Sequence, residues 1–221
     1  MSAFPIISLI ESEVRYKDSV ALSGINLSVE RGEKLALVGR SGAGKSTLLR
    51  VIHEKYSEGA ALVPQDEGLV ETLSVFHNVY MGRLAGRPAW YNLVNLVRPF
   101  SGRVREVQSI LEQLSLGEKC FEPVASLSGG QRQRTAVARS LYQGGELLLA
   151  DEPVSAVDEQ QAQRILRLLS RQFSTMIVAL HDTQLALSYC DRVIGLKAGK
   201  IVLDRPSTEL SSADLTQLYV E

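Results

Sequence analysis

A glycine-rich segment restricts the fold of this chain more than any other feature of the sequence. Residues 39–47 read Gly-Arg-Ser-Gly-Ala-Gly-Lys-Ser-Thr and fit the pattern G-x-x-x-x-G-K-[ST]. The apolar run Leu35–Val38 predicts a buried parallel strand before the segment, and helical spacing follows over 46–56. Glycines permit positive φ and a close approach to an anion, and a helix N-terminus favours negative charge. The segment therefore predicts a phosphate-binding loop between a strand and a helix.

The pattern assigns separate roles to the last residues of this loop. Lys45 is expected to contact the β- and γ-phosphates, Ser46 to place its hydroxyl on Mg²⁺, and Thr47 to meet the α-phosphate. The alternative is an ordinary glycine-rich turn with a surface lysine, which the strand before it and the helix after it disfavour. The predicted nucleotide-binding residues of the loop are Gly39, Arg40, Ser41, Gly42, Ala43, Gly44, Lys45, Ser46 and Thr47.

Strand and helix patterns alternate along the chain, which predicts an α/β fold with a largely parallel sheet. The predicted strands lie at 6–15, 25–30, 35–38, 62–63, 147–150, 175–180, 192–196 and 200–203, the last two as a hairpin. The predicted helices lie at 46–56, 73–82, 103–115, 129–143, 158–172 and 211–220, with a loop-rich insertion at 83–102. We expect one domain over 1–221, with a core at about 1–65 and 129–221 and a helical subdomain at about 66–128.

Composition limits the broad class of protein. The chain has 221 residues, enough for one domain with a substantial core, and its net charge of −1 argues against a general nucleic-acid binder. Cys120 and Cys190 are far apart and are expected to be reduced thiols of a cytosolic protein. We expect no signal peptide, and no apolar stretch approaches the roughly 20 residues that span a bilayer. A membrane role therefore requires a partner that carries the spans.

Two adjacent carboxylates follow a second apolar run. Leu147–Ala150 reads as a buried strand, and Asp151 and Glu152 come directly after it. The carboxyl end of a strand is where open α/β sheets bind ligands. Asp151 is expected to hold Mg²⁺, and Glu152 to polarise the attacking water. Because Pro153 follows, the pair alone also fits a helix N-cap, a reading that the phosphate-binding loop disfavours.

The segment Leu127-Ser128-Gly129-Gly130-Gln131 lies shortly before these carboxylates. Ser128 is suited to cap the following helix, and alone the segment fits an ordinary capped helix. The order and spacing of the three motifs resemble the ATP-binding cassette (ABC) family over nearly the whole chain. The resemblance implies a P-loop NTPase-type parallel sheet with a small antiparallel lobe and an inserted helical subdomain. It also implies an ATPase that uses Mg²⁺, in which Ser128, Gly129, Gly130 and Gln131 face the γ-phosphate of ATP on a second copy.

The resemblance assigns further residues by their position. Tyr16 matches the aromatic residue that stacks on adenine, Gln65 the Q-loop glutamine that reaches Mg²⁺ and water, and His181 the switch histidine near the γ-phosphate. Residues 155–158 match the D-loop at the dimer interface, where Asp158 also fits a plain N-cap. We expect the arginines that follow the signature to be structural or solvated charges; they are Arg132, Arg134 and Arg139.

One interval departs from the family pattern. Lys45 and Gln65 are only twenty positions apart, whereas cassettes of the family usually place about twice that between the two motifs, a long connection by common standards. We therefore expect part of the antiparallel lobe to be missing. ATP binding is still expected because the motifs of the core remain.

Further residues resemble the phosphonate-importer ATPases, namely those at 78–84, 90–100 and 180–200. This resemblance implies a homodimer on the cytoplasmic side of the inner membrane, with transmembrane permease subunits and, through them, a solute-binding protein. Phe76, Tyr80 and Trp90 are candidate permease contacts, or they pack within the subdomain. The alternatives are an accessory subunit of a soluble complex such as carbon–phosphorus lyase, and a cassette for another solute, an exporter or a DNA or ribosome function.

Overall fold

A six-stranded sheet forms the centre of the computed structural model, which describes residues 5–16 and 19–219. The strands are Ile7–Tyr16 (β1), Ser19–Val29 (β2), Lys34–Val38 (β3), Ala60–Val63 (β4), Leu147–Asp151 (β5), Thr175–Ala179 (β6), Arg192–Lys197 (β7) and Lys200–Pro206 (β8). The central sheet has the order β4-β5-β6-β3-β7-β8, in which β7 and β8 pair antiparallel and the other neighbours pair parallel. The carboxyl ends of β3, β4, β5 and β6 therefore lie along one edge.

Helices cover the sheet on both faces. They are Lys45–Lys55 (α1), Val75–Tyr80 (α2), Ala89–Val97 (α3), Ser101–Gln113 (α4), Gly129–Gln143 (α5), Glu159–Gln172 (α6), Thr183–Tyr189 (α7) and Ser212–Thr216 (α8). Successive side chains of a strand point to opposite faces. Leu35 and Leu37 of β3 accordingly belong to the apolar layer around α1, while Ala36 and Val38 belong to the layer around α5 and α6. Burial on both faces explains why these strands read as continuous apolar runs.

The antiparallel lobe is a two-stranded sheet of β1 and β2, with register shifts along the pair. Residues 56–59 are all that separate α1 from β4. The described structure thus goes directly from the helix after the glycine-rich loop to the strand before Gln65. This short connection agrees with the interval counted in the sequence.

The prediction of a loop-rich insertion at 83–102 is wrong, because α3 occupies Ala89–Val97. Pro88 is its N-cap, and the fixed φ of proline suits the start of a helix. Helix α7 was also missed; Asp182 caps it by accepting hydrogen bonds from the backbone N–H groups of Gln184 and Leu185. Helices α3 and α7 are short, and in each the sequence marks the start of the helix by only one capping residue.

The aromatic residues of the helical region differ in exposure. Phe76 and Tyr80 are buried on α2, whereas Trp90 on α3 keeps 66% of its surface. Phe76 and Tyr80 therefore pack within the subdomain, and Trp90 remains a candidate for contact with another protein. Within the described ranges, no helix is both long and apolar enough to cross a bilayer.

Candidate nucleotide site

The glycine-rich loop connects β3 to α1 at the carboxyl edge of the sheet. Gly39 has φ +144° and Gly44, the N-cap of α1, has φ +109°, a region that side chains rarely allow. A Cβ at Gly39 would lie 2.3 Å from the carbonyl oxygen of Leu196. Position 39 therefore requires glycine for two reasons. Its backbone has a positive φ, and β7 approaches it too closely for a side chain.

Lys45 is held by the loop that it follows. Its side chain is 5% exposed, and Nζ donates hydrogen bonds to the carbonyl oxygens of Gly39, at 2.7 Å, and Arg40, at 3.2 Å. Burial lowers the pKa of Lys45, and the charges of Glu152 and Asp151 partly oppose that shift. The loop thus presents a desolvated ammonium group at the start of a helix, an arrangement suited to an anion.

Asp151 ends β5 and is 7% exposed. Burial raises the pKa of Asp151, while a hydrogen bond from Ser46 acts in the opposite direction. Its Oδ1 atom is buried without a hydrogen-bond partner, so the carboxylate has capacity for a ligand. In the described part of the chain no three residues among His, Cys, Asp and Glu cluster as a metal site. The donors present fit a Mg²⁺ ion that phosphate oxygens also hold.

Glu152 has a strained backbone and a histidine partner. Its φ of +53° is unusual for a residue with a side chain. Its N–H donates to the carbonyl oxygen of Ala179 at 3.2 Å, and its Oε1 lies 2.6 Å from Nε2 of His181. The neighbouring strand β6 therefore supplies both the backbone support of Glu152 and, two residues later, its side-chain partner.

Two adjoining cavities lie along this edge. One, of about 630 Å³, is lined by Ser46, Thr47, Arg50, Gln65, Asp66 and Asp151. The other, of about 340 Å³, is lined by Val20, Ala21, Ser41, Gly42, Gly44, Lys45, Ser46, Thr47, Gln65, Glu152, Ala198 and Gly199. The structure thus brings the loop, Gln65 and both carboxylates together as predicted. The backbone of Tyr16 ends β1, and its side chain lies outside what the structure describes.

The signature segment forms a capped helix start away from these cavities. Ser128 accepts a hydrogen bond from the N–H of Gln131, whose side chain accepts one from the N–H of Ser128. None of the residues from Ser128 to Gln131 lines either cavity of the described chain. A Cβ at Gly130 would lie 2.6 Å from the carbonyl oxygen of Ala156, so the helix start packs closely on the D-loop. One copy therefore holds the two halves of the predicted site apart.

Gln133 connects helix α5 to the segment after β5, a role that sequence reasoning missed. It is 8% exposed, and its Nε2 donates to the carbonyl oxygen of Glu152 at 2.8 Å and to Oγ of Ser155 at 2.9 Å. Its Oε1 accepts a hydrogen bond from the N–H of Ala156. No motif predicts these contacts, because Gln133 bonds partly to backbone groups, and every residue type carries a backbone carbonyl.

Arg139 makes a second connection from the same helix. It donates hydrogen bonds to the carbonyl oxygens of Glu67, at 2.7 Å, and Gly68, at 2.6 Å. These residues form the turn after Gln65, where Glu67 has φ +61°. Arg139 is thus a structural charge, as expected, and Asp158 caps α6 through the N–H of Gln161.

Comparison with known proteins places this geometry in a family. The model of the ABC transporter family matches residues 22–62 and 53–155. The chain belongs to the ABC transporter family. The two matched segments overlap at 53–62, which lies within the interval between Lys45 and Gln65. The recognition of an ABC cassette is therefore confirmed.

Relatives cover most of the cassette. It is 40% identical over 228 residues to a phosphonates import ATP-binding protein of Pseudomonas aeruginosa, covering 90% of this chain and 85% of the relative. It is 35% identical over 245 residues to the protein of the same name from Lactobacillus gasseri, covering 97% and 93%. These relatives confirm the prediction that the chain is an ATP-binding, ATP-hydrolysing cassette of an importer.

Solved structures confirm the predicted fold class. The dimeric structure of a bacterial ABC transporter cassette is 26% identical with a TM-score of 0.79, covering 90% of this chain and 98% of that one. A dimeric post-hydrolysis cassette bound to ADP and phosphate is 25% identical with a TM-score of 0.75, covering 90% and 96%. The family therefore binds nucleotide.

Proposed function

We propose that this cassette hydrolyses ATP to energise a membrane importer for phosphonates or a related phosphorus compound. The observation that carries the proposal is the 40% identity to a phosphonates import ATP-binding protein across 90% of the chain. The site geometry supports it, since a buried lysine, a buried aspartate and a histidine-paired glutamate line one edge of the sheet. The chain acts as a single domain, with its core and helical subdomain divided as the sequence predicts.

The nucleotide is bound by the loop and by the second copy. The triphosphate lies along residues 39–47, with Lys45 on the β- and γ-phosphates and the base near Tyr16. Residues Ser128, Gly129, Gly130 and Gln131 of the partner copy close the site over the γ-phosphate. This arrangement is supported by the start of α5, which lines neither of the two described cavities of its own chain.

Ser46, Asp151 and Gln65 would hold Mg²⁺ together with phosphate oxygens. The ion supplies charge neutralisation on the β- and γ-phosphates when it is bound. The buried, unpartnered Oδ1 atom of Asp151 and the adjacent Ser46 hydroxyl support this assignment.

Hydrolysis is phosphoryl transfer to water. The protein accelerates this reaction largely by positioning the attacking water. Glu152 accepts a proton or hydrogen bond from the attacking water, and Gln65 orients that water. His181 holds the Glu152 carboxylate and lies near the γ-phosphate. The 2.6 Å contact between Glu152 and His181 supports their joint action.

The partners are transmembrane permease subunits and, through them, a solute-binding protein, with the homodimer on the cytoplasmic face of the inner membrane. Closure of the dimer on ATP and opening after hydrolysis then shift the permease between two states. The exposed apolar side chains of α3, which include Trp90 and Leu93, are the surface offered to the permease.

Uptake of a simple phosphonate tests the function. Cells whose only copy is wild type are compared with cells that carry Lys45→Ala, at equal expression. We expect uptake to be lost in the variant because the γ-phosphate loses its charge partner. Equal uptake in both strains would overturn the importer assignment. A tagged cassette that co-purifies with a soluble enzyme complex instead of a permease would favour the accessory-subunit alternative.

A further inference from the structure

Tyr219 lies where two parts of the nucleotide site approach each other. It belongs to a one-turn 3₁₀ helix, Gln217–Tyr219, that follows α8. Its hydroxyl accepts a hydrogen bond from the N–H of Gly39 at 3.3 Å and donates one to the carbonyl oxygen of His181 at 3.4 Å. A phenol can do both at once, since it carries one donor and two acceptor positions. One side chain therefore contacts the first glycine of the phosphate-binding loop and the histidine opposite.

These two contacts extend directly to the reacting groups. The carbonyl oxygen of Gly39 accepts the 2.7 Å hydrogen bond from Nζ of Lys45. Nε2 of His181 lies 2.6 Å from the carboxylate of Glu152. The hydrogen bonds thus link Lys45, Tyr219 and Glu152 through two intervening residues, Gly39 and His181.

The turn that carries Tyr219 is seated firmly on the sheet. Its neighbour Leu218 is 9% exposed and packs against β7. A Cβ on Gly195 of β7 would lie 2.7 Å from Cδ1 of Leu218. The glycine therefore makes room for Leu218, which fixes the position of the tyrosine next to it. A phenol is protonated at neutral pH, and burial raises the pKa of Tyr219 further, so its hydroxyl can donate to the carbonyl oxygen of His181.

We propose that Tyr219 is a positioning residue for ATP hydrolysis that sets the placement of His181, and through it Glu152, relative to the phosphate-binding loop. This inference rests on the proposed function, because it assigns Glu152 and His181 to hydrolysis. Tyr219 itself lines neither of the two cavities described above. Its effect is expected in the rate of hydrolysis rather than in the affinity for ATP.

The test compares steady-state ATP hydrolysis by wild type, Tyr219→Phe and the control Tyr189→Phe. Tyr189 is a partly buried tyrosine on α7 that packs against the core. For Tyr219→Phe we expect kcat to fall roughly three- to tenfold, the loss typical of one hydrogen bond, with KM within about twofold. Tyr189→Phe should match wild type. Unchanged kcat in Tyr219→Phe, or an equal loss in the control, would overturn the proposal.

A double-mutant cycle separates positioning from general loss of structure. In a His181→Ala background, Tyr219→Phe should cause no further fall in kcat, because its effect passes through His181. A further fall of the same size would contradict this route. Rates are expressed per bound nucleotide, so unfolded protein does not lower the measured rate. If Tyr219→Phe only reduced the folded fraction, its rate per bound nucleotide would equal that of wild type, and the proposal would be overturned. A wild type no faster than Lys45→Ala would instead refute the proposed ATPase site.

Discussion

Glu152 illustrates how a single residue can be predicted in type but not in conformation. The apolar run before it and the Asp-Glu pair indicate its place at the end of β5. Its φ of +53° and its contact with His181, 29 positions later in the chain, come only from the fold. Strain of this kind persists where surrounding contacts fix the backbone, here the hydrogen bonds from Gln133 and to Ala179.

Replacing the Glu152 carboxylate should separate ATP binding from hydrolysis. Glu152→Gln keeps the size and the backbone contacts but removes the proton acceptor for water. We expect turnover to fall at least about 100-fold, with ATP affinity within a few-fold of wild type. Binding is measured by titration with a fluorescent nucleotide and turnover by phosphate release. Turnover near that of wild type would remove Glu152 from its role.

The two cysteines make stability depend on pH above neutrality. Burial raises the pKa of Cys120 to about 11 and that of Cys190 to about 12, against about 8.5 for a thiol in the unfolded chain. The unfolded chain therefore releases these protons first as pH rises. The stabilising contribution is complete below about pH 8.5 and is lost progressively as pH rises toward the folded pKa values.

Urea unfolding between pH 7.5 and 9.5 measures this effect, with a Cys120→Ala/Cys190→Ala variant as the reference. Above pH 8.5, wild type should lose on the order of 1 kcal/mol per thiol per pH unit more than the variant. The variant itself is expected to be less stable at pH 7.5, because it leaves two small cavities. Parallel pH profiles of the two proteins would show that the thiols titrate alike in both states.

Helix α3 marks the limit of prediction at the scale of an element. Helix α5 was predicted with its observed bounds because Ser128 and Gln131 form a capping box and the helix has long, regular spacing. Helix α3 is nine residues long, follows a run with glycine and proline, and keeps much of its apolar surface exposed. Several of its apolar side chains pack against no other described residue closely enough to be buried, so its pattern does not read as the buried stripe of an ordinary surface helix.

The exposed face of α3 should matter for transport and not for ATP binding. Trp90 and Val97 are 66% and 82% exposed, so their replacement by serine removes little internal packing. For Trp90→Ser/Val97→Ser we expect phosphonate uptake to fall on the order of tenfold or more, because apolar anchors dominate interfaces. ATP affinity of the purified cassette should stay within twofold.

Val202→Ser is the matched control, since Val202 on β8 is 53% exposed and lies away from the helical region. It should leave uptake and binding unchanged. Full uptake in the α3 variant would place the permease contact elsewhere. An equal loss of uptake in both variants would indicate that the effect is not specific to a permease contact on α3.

For the whole molecule, the order of the motifs along the chain was the main basis for predicting the fold and the residues that meet at one edge of the sheet. Lys45, Asp151 and Glu152 meet because parallel strands bring their carboxyl ends to one edge. Gln133, Arg139 and Tyr219 were not predicted as part of the site, because their partners include backbone groups distant in sequence. The fold and the clustering of Lys45, Asp151 and Glu152 are thus readable from sequence, whereas the contacts that hold these residues in position are not.

The short connection between α1 and β4 still places Gln65 at the candidate nucleotide site. Only residues 56–59 separate α1 from β4, yet Gln65 still lines both cavities with Ser46 and Thr47. The hydrogen bonds from Arg139 to Glu67 and Gly68 hold the turn after Gln65 from the opposite helix. Helix α5 therefore helps to hold the segment that directly follows Gln65.

The most direct test of the account is the molar mass of Glu152→Gln by light scattering, with ATP and Mg²⁺ or with ADP. In the proposed arrangement residues 128–131 of a second copy complete the site, so ATP held without hydrolysis should produce a dimer of twice the 24.2 kDa chain. With ADP the protein should be a monomer. A monomer that demonstrably binds ATP would contradict the account, because it would show that one copy completes the site alone.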